Sequence, residues 1–158
     1  GLESLIDFNL RKIFGLNSTY IFNTFLNFSA IDSEYISSDE PGVEGKEVEF
    51  VPKFNIKYGI KFGYKNFTSY FQYSFLSSQF SDSSNSFESN LSGVIGQIPA
   101  YDILDLSMNY KFGKIKLETG VNNILNNFYF TRRATGYPGP GIIPSPPRNY
   151  YITLQYKF

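Results

Sequence analysis

Over residues 148–158 polar and apolar positions alternate. Tyr150, Ile152, Leu154, Tyr156 and Phe158 fall on one face, and Asn149, Tyr151, Thr153, Gln155 and Lys157 on the other. Successive side chains of a strand point to opposite faces, so this segment is a strand with one apolar and one polar side. The pattern repeats over 102–112, where Leu104, Leu106, Met108, Tyr110 and Phe112 oppose Asp105, Ser107, Asn109 and Lys111. It repeats again over 53–63, with Phe54, Ile56, Tyr58, Ile60 and Phe62 against Lys53, Asn55, Lys57, Gly59 and Lys61. Weaker alternation covers 2–14, 19–30, 67–80 and 115–130. The last is interrupted by NNILNN, read as a bulge or kink within one long strand. The pattern predicts seven strands, over about 2–14, 17–30, 51–63, 66–80, 101–112, 115–130 and 148–158.

The connections alternate in size. Short turns are expected at FGLN (14–17), GYKN (63–66) and FGK (112–114), and long polar loops over about 31–50, 81–100 and 134–147. Phe-Gly recurs at 14–15, 62–63 and 112–113, and glycine there supplies the positive φ of a tight hairpin. Most of the strands are ten residues or longer, against ~5–6 for globular strands and ~9–11 for tilted membrane-spanning ones. Short turns on one rim and long loops on the other are the arrangement of an outer-membrane barrel. The fold class expected is therefore all-β, an antiparallel transmembrane β-barrel segment. The competing fold is a secreted all-β domain that buries its apolar faces against a second sheet.

Composition narrows the chemistry. The 158 residues contain no cysteine and no histidine, which removes disulfides, thiolate ligands, the commonest general base and the commonest metal ligand. Fourteen basic and 14 acidic residues give zero formal charge, so no global electrostatic case exists for a nucleic-acid or anionic-membrane partner. Aromatic residues make up 19% of the chain, and they stand near the strand ends as interfacial girdles require. No apolar run is long enough for a transmembrane helix, and with no charged stretch followed by an apolar one at its start these residues are not expected to include a signal peptide. An outer-membrane hydrolase would have to carry its catalytic residues outside these 158, since histidine is absent here, and no catalytic, cofactor or resident metal site is assigned.

Seven is an odd count, whereas closed single-chain barrels of the bacterial outer membrane have an even number of strands. An open sheet in lipid leaves unpaired backbone groups costing several kcal/mol each. With the chain opening on Gly1 directly into a strand, the expectation is the C-terminal piece of a larger barrel, whose missing strand pairs with 148–158.

Residues 98–158 resemble the C-terminal end of TonB-dependent outer-membrane receptors, and most closely their ferric-dicitrate-type subgroup. PAYDILDLS opens a strand, GVNNILNNFYF resembles the family's Gly-Val-x-Asn-Leu-Phe-Asp-x-x-Tyr strand, and the chain ends on an aromatic strand. TRRATGYPGPGIIPSPPRNYY resembles the last extracellular loop, and FVPKFNIKYGIKF upstream resembles a family strand opening. Asn126 replaces the family's usual Asp, and Leu125 its usual aromatic residue.

The resemblance implies that the chain is the C-terminal third of a 22-stranded barrel in the bacterial outer membrane. That barrel is filled by an N-terminal plug and takes up an iron chelate with energy delivered through TonB. The implied partners are the rest of the barrel and the plug upstream of Gly1, the TonB complex, outer-membrane lipid and lipopolysaccharide, and the assembly machinery. A ferric chelate enters only as transported ligand. The alternative function is a passive porin-like or structural outer-membrane barrel.

Arg132 and Arg133 stand where the penultimate strand enters its loop. Guanidinium groups bind carboxylates bidentately, which suits a citrate-type chelate, and the same charges on a solvated or lipopolysaccharide-facing rim are the plainer reading. Arg148 is a third candidate, and Tyr137 in the proline-rich stretch 136–147 is available for stacking. Lys53, Lys57 and Lys61 form an inward basic column. The acidic stretch between Asp32 and Glu49 fails the EF-hand spacing and reads as a solvated loop. Tyr156 and Phe158 match the paired aromatics of the assembly signal, with Thr153 where that signal often has Gly.

Overall fold

The computed structural model describes residues 1–136 and 139–158. Seven strands form one antiparallel sheet: β1 (Leu2–Phe8), β2 (Tyr20–Ala30), β3 (Phe54–Tyr64), β4 (Phe67–Leu76), β7 (Tyr101–Phe112), β8 (Ile115–Asn122) and β11 (Asn149–Tyr156). The sheet order is β1-β2-β3-β4-β7-β8-β11, a meander in which each strand pairs with the next long one in the chain. Two small ladders stand apart from it. One joins β5 (Gln79–Phe80) to β6 (Gln97–Ile98), and the other joins β9 (Phe130–Ala134) to β10 (Gly141–Pro144). A single helical turn, α1 (Leu10–Ile13), follows β1.

The register carries the alternation across the whole sheet. Leu26 lies opposite Ile6 and Tyr58; Ile60 opposite Thr24 and Phe71; Leu106 opposite Phe71 and Val121; Leu117 opposite Tyr110 and Leu154. One face is therefore apolar from edge to edge. The reverse face carries Asn23 opposite Lys61, Gln72 opposite Asp105, and Asn109 opposite Glu118. A one-residue slip anywhere would move a strand's apolar set to the wet side, so the two faces together lock the register.

The apolar face has no protein cover. Ile152 and Leu154 are 74% and 70% exposed, and Phe71 in the centre of the sheet is still 43% exposed. The buried apolar residues among those described, Val43, Phe80 and Ile98, all lie in the long connections. A water-soluble sheet of this size would bury one apolar face, and an uncovered apolar face this large marks an interaction surface.

Three elements depart from the alternation. The first strand ends at Phe8, because the Asn9 side chain accepts from the Lys12 N–H at 3.1 Å and caps a helical turn where strand was expected over 9–14. The strand expected over 66–80 ends at Leu76 in the main sheet, and Gln79–Phe80 pairs elsewhere. The sixth strand ends at Asn122, and NNILNN is a knot of turns rather than a bulge. Asn123 and Asn126 both take positive φ, 54° and 56°, which ends the extended chain.

Of the three Phe-Gly pairs, Gly15 and Gly113 do supply positive φ, 64° and 54°. Gly63 does not: it sits inside β3, and the turn's positive φ falls on Lys65 at 53°. A Cβ on Gly63 would lie 3.1 Å from Ile21 Cβ, so this glycine makes room for a cross-strand neighbour instead.

Candidate functional site: the joined loop layer

At one end of the sheet Lys65-Asn66 and Gly113-Lys114 are two-residue turns, while Asn9 to Thr19, expected as a short turn at 14–17, is a longer link that carries α1. At the other end three long connections, 31–53, 77–100 and 123–148, form a layer that holds the buried residues named above. This layer is where the predicted ligand residues fall.

The 77–100 connection is built around its two-residue ladder. Ile98 is 1% exposed, and the Phe80 and Phe87 rings meet edge to face at 5.2 Å. The Asp82 carboxylate accepts from the Gly96 N–H at 3.2 Å, from the Ser86 N–H and from the Ser84 hydroxyl. Partial burial pushes its pKa up, but these donors together outweigh burial and hold it below the ordinary carboxylate value.

This connection is tied to its neighbour on each side. Toward 31–53, Asn85 at φ 54° accepts from the Glu47 N–H at 2.7 Å and donates to the Glu47 carbonyl at 2.8 Å. The Phe50 N–H donates to the Phe80 carbonyl at 2.9 Å. Toward 123–148, the Arg133 guanidinium donates to the Ser89 hydroxyl, the Gly93 carbonyl and the Gln97 carbonyl, each at 2.9 Å. It lies 5.2 Å over the Phe130 ring, and its buried Nε has no hydrogen-bond partner among the described residues. Three connections far apart in sequence thus share one hydrogen-bonded frame.

The 31–53 connection folds on itself as well. The Tyr35 hydroxyl donates to Glu49 at 2.6 Å, which raises the tyrosine pKa by stabilising its protonated form. Lys53 pairs with Glu47 at 2.6 Å, and its pKa is raised by that hydrogen bond and charge. No group of three or more acidic side chains converges among the described residues.

The base of 123–148 is the asparagine knot. Asn123 is 2% exposed; its N–H donates to Asp105 at 2.8 Å, its side-chain amide donates to the Asn127 carbonyl at 2.9 Å, and its side-chain oxygen accepts from the Asn127 N–H at 3.1 Å. Asn127 in turn donates to the Asp102 backbone and side chain, each at 2.9 Å. Side chains here make the hydrogen bonds that a strand ladder would otherwise make.

The predicted ligand residues separate. Arg133 is committed to the frame. Arg148 donates its backbone N–H to Asn126 at 3.1 Å and a guanidinium N–H to the Ile124 carbonyl at 2.6 Å, which closes the knot. Arg132 is exposed and makes no hydrogen bond or ion pair among the described residues. Tyr137 lies outside the described residues.

Of the basic column, Lys57 and Lys61 lie on the polar face, opposite Asn27 and Ser74 and opposite Asn23 and Tyr70. Lys53 precedes β3 and is neutralised by Glu47. At the other end of the sheet, Tyr156 and Phe158 meet edge to face at 5.2 Å. Sequence reading missed Asn85, Asp82 and Asn123; NNILNN was the visible signal for the last.

On the polar face, two glycines make room for aromatic rings. A Cβ at Gly59 would fall 2.2 Å from the Phe25 ring, and one at Gly120 would fall 2.5 Å from the Tyr151 ring and 2.6 Å from the Leu106 carbonyl. Phe25 stacks against Tyr70 with ring centroids 6.3 Å apart, so part of the wet face is an aromatic shelf.

A family model described as "TonB dependent receptor-like, beta-barrel" matches residues 1–124. The chain belongs to the TonB-dependent receptor β-barrel family. Among solved structures, this receptor chain resembles the ferric citrate transporter FecA in its unliganded form at 25% identity and a TM-score of 0.86, over 99% of this chain and 23% of that one. It also shares its fold with the ferric yersiniabactin uptake receptor FyuA from Yersinia pestis, at 16% identity and a TM-score of 0.71 over 90% of this chain and 22% of that one. The siderophore receptor PiuA from Acinetobacter baumannii matches at 17% identity and a TM-score of 0.66, again over 90% of this chain and 20% of that one. The chain spans between a fifth and a quarter of the length of these relatives.

Proposed function

We propose that this receptor chain forms part of the wall of an outer-membrane barrel that takes up a ferric chelate of the citrate type, with the plug and the TonB-contacting segment supplied from outside these residues. The observation that carries the reading is the likeness to a ferric citrate transporter along nearly the whole chain. Strand length agrees with it. Eleven residues at ~3.3 Å each give a strand of about 36 Å, and a tilt of about 45° brings this to about 25 Å, the height of a barrel's lipid-facing band.

In this reading the apolar face meets lipid, the face bearing Lys57 and Lys61 lines the lumen, and the long connections face the cell exterior, against lipopolysaccharide. Tyr156 and Phe158, at the periplasmic rim, serve as the assembly signal. The role of the chain is passage and recognition rather than catalysis.

Within the loop layer, Arg132 is the residue this reading assigns to the chelate. A guanidinium with no protein partner among the described residues is available to a carboxylate in the bidentate geometry citrate offers, whereas Arg133 and Arg148 are held by backbone carbonyls. Uptake of radiolabelled ferric citrate by cells carrying the full-length receptor tests this. Wild type is expected to accumulate iron in a TonB-dependent way, and Arg132→Ala to lower uptake about tenfold at limiting substrate, the loss of one charge-assisted hydrogen-bond pair. Uptake that persists without TonB would contradict the transport reading, and unchanged uptake in the variant would remove Arg132 from the site.

A further inference from the structure

Zero net charge conceals a separation of charge along the strand axis. Arg11 and Lys12 lie in α1, Lys65 in the β3–β4 turn, Lys111, Lys114 and Lys116 around the β7–β8 turn, and Lys157 beside it. Seven of the 14 basic residues thus gather at the short-turn end, where Asp7 and Glu118 are the nearby carboxylates. The connection 31–53 at the opposite end carries seven acidic residues and two lysines. Along the sheet the potential therefore becomes more favourable to an anion toward the short turns.

The positive charge is concentrated on the polar face beside the β7–β8 turn. Lys111 lies opposite Lys116, and Lys116 opposite Gln155, so the three form one row across β7, β8 and β11. That row is in phase with Asn109, Glu118 and Thr153 of the polar face, whereas Ile115 and Tyr156 belong to the apolar face. Nearer the turn, the Lys157 N–H donates to the Lys114 carbonyl at 2.9 Å, which sets a second pair of lysines across the strands. Like charges directly opposite destabilise a sheet unless a counter-charge lies nearby. Elsewhere on this face the register puts Asn23 beside Lys61 and Gln72 beside Asp105. Glu118 neutralises Lys116 at 2.8 Å, and among the described residues Lys111, Lys114 and Lys157 have no ion-pair partner. With Gln155 these three line a cleft of about 380 Å³.

We propose that this lysine cleft is an anion site on the lumen wall at the short-turn end, where a ferric polycarboxylate chelate is held on its way out of the barrel. The proposal rests on the transport reading above, in which the polar face lines the lumen and the long connections face the cell exterior. Arg132 lies at the entry end and the lysine cleft at the exit end, with Lys57 and Lys61 on the polar face between them. The cleft lysines span β7 to β11, about 10 Å at ~4.8 Å per strand. Carboxylates set apart on one chelate reach several of these ammonium groups, and a compact anion reaches fewer. Lysine also suits a station that must release its ligand, since an exposed ion pair contributes up to about fivefold and lacks the bidentate hold of arginine.

The test is fluorine NMR of the intact receptor in detergent, with trifluoromethyl-phenylalanine placed at Thr153, opposite Glu118 on the polar face and next to the cleft. Ferric citrate is paramagnetic, so its arrival is expected to broaden this resonance saturably, whereas diamagnetic gallium citrate leaves it sharp. The midpoint should rise with salt, and by at least about tenfold in Lys111→Gln/Lys114→Gln/Lys157→Gln. Lys111→Gln alone serves if the triple variant does not insert; it removes the like-charge pairing with Lys116, and its expected loss is up to about fivefold. A resonance that ferric citrate leaves sharp, as it would if an acidic protein segment already filled the cleft, overturns the proposal, and so does a midpoint that the lysine changes do not move. Displacement by an equal concentration of inorganic phosphate would overturn the assignment to a polycarboxylate. TonB-dependent uptake, measured on the same proteins, reports the transport reading separately: its absence alongside lysine-dependent broadening would fail that reading and leave this anion site standing.

Discussion

The Arg133 guanidinium donates to the Gly93 carbonyl at 2.9 Å, across 40 residues of chain. Gly93 needs its positive φ of 71° to present that carbonyl, and a Cβ on it would lie 3.2 Å from the Cα of Gly141 on β10. The 77–100 connection therefore seats against the β9–β10 ladder by backbone contact as well as by the arginine. Loss of the guanidinium should free the loop without disturbing the sheet. In Arg133→Ala, amides over 89–97 are expected to exchange hydrogen about tenfold faster, and those of β3 and β4 to be unchanged, the local loss of charge-assisted hydrogen bonds. Arg133→Lys recovers part of the protection, since an ammonium cannot span three acceptors in a planar fork.

Asn123→Ala removes a side chain that both donates to and accepts from the backbone at a position 2% exposed, and it forces alanine into a φ of 54°. The expected cost is about 2–4 kcal/mol, from unpaired buried groups together with backbone strain. Asn123→Gly relieves the strain alone and should recover about 1 kcal/mol of it. Urea midpoints for the detergent-folded receptor measure both.

The two polar-face glycines predict an asymmetry. At Gly59 the obstacle is the far end of the Phe25 ring, which can swing away, so Gly59→Ala is expected to be tolerated and to be rescued fully by Phe25→Ala. At Gly120 the Leu106 carbonyl stands 2.6 Å from the new Cβ and belongs to the paired strand, so Gly120→Ala should lower assembly yield even with Tyr151→Ala. Heat-modifiable mobility on gels reads the outcome.

The strands were legible because a sheet with one apolar and one polar face forces a period of two on every strand in it. The 53–63 and 102–112 patterns show this most plainly, and the paired register of Tyr58 with Tyr73 and Leu26 follows from it. What alternation misses is a polar side chain that takes over backbone hydrogen bonding. Asn9, Asn85 and Asn123 do so at the first turn and in the loop layer, and each stands in a sequence that scores as strand or featureless loop. Arg133 was visible as a candidate, but its partners lie 36 to 44 residues away, and no local pattern records them.

Asp82 gives the loop layer a pH dependence of known sign. Its folded pKa is depressed, so the stabilisation is full above the unfolded value of about 3.9 and is lost as pH falls through the lower folded value. Hydrogen exchange over 82–96 is expected to be flat from neutrality down to about pH 4, once corrected for intrinsic rates, and to rise below it. In Asp82→Asn that acid-induced rise should disappear.

The central claim is that one sheet face meets lipid and the other meets water, and neighbouring residues in the middle of β4 test it. Phe71 pairs with Ile60 and Leu106 on the apolar face; Gln72 pairs with Gly59 and Asp105 on the polar face. Spin labels on Phe71→Cys and Gln72→Cys, in the intact receptor reconstituted in lipid, report collision with oxygen, which partitions into hydrocarbon, and with a water-soluble nickel chelate. The structure predicts oxygen access at position 71 and nickel access at 72. Nickel access at 71, or equal access at both positions, would contradict a barrel wall.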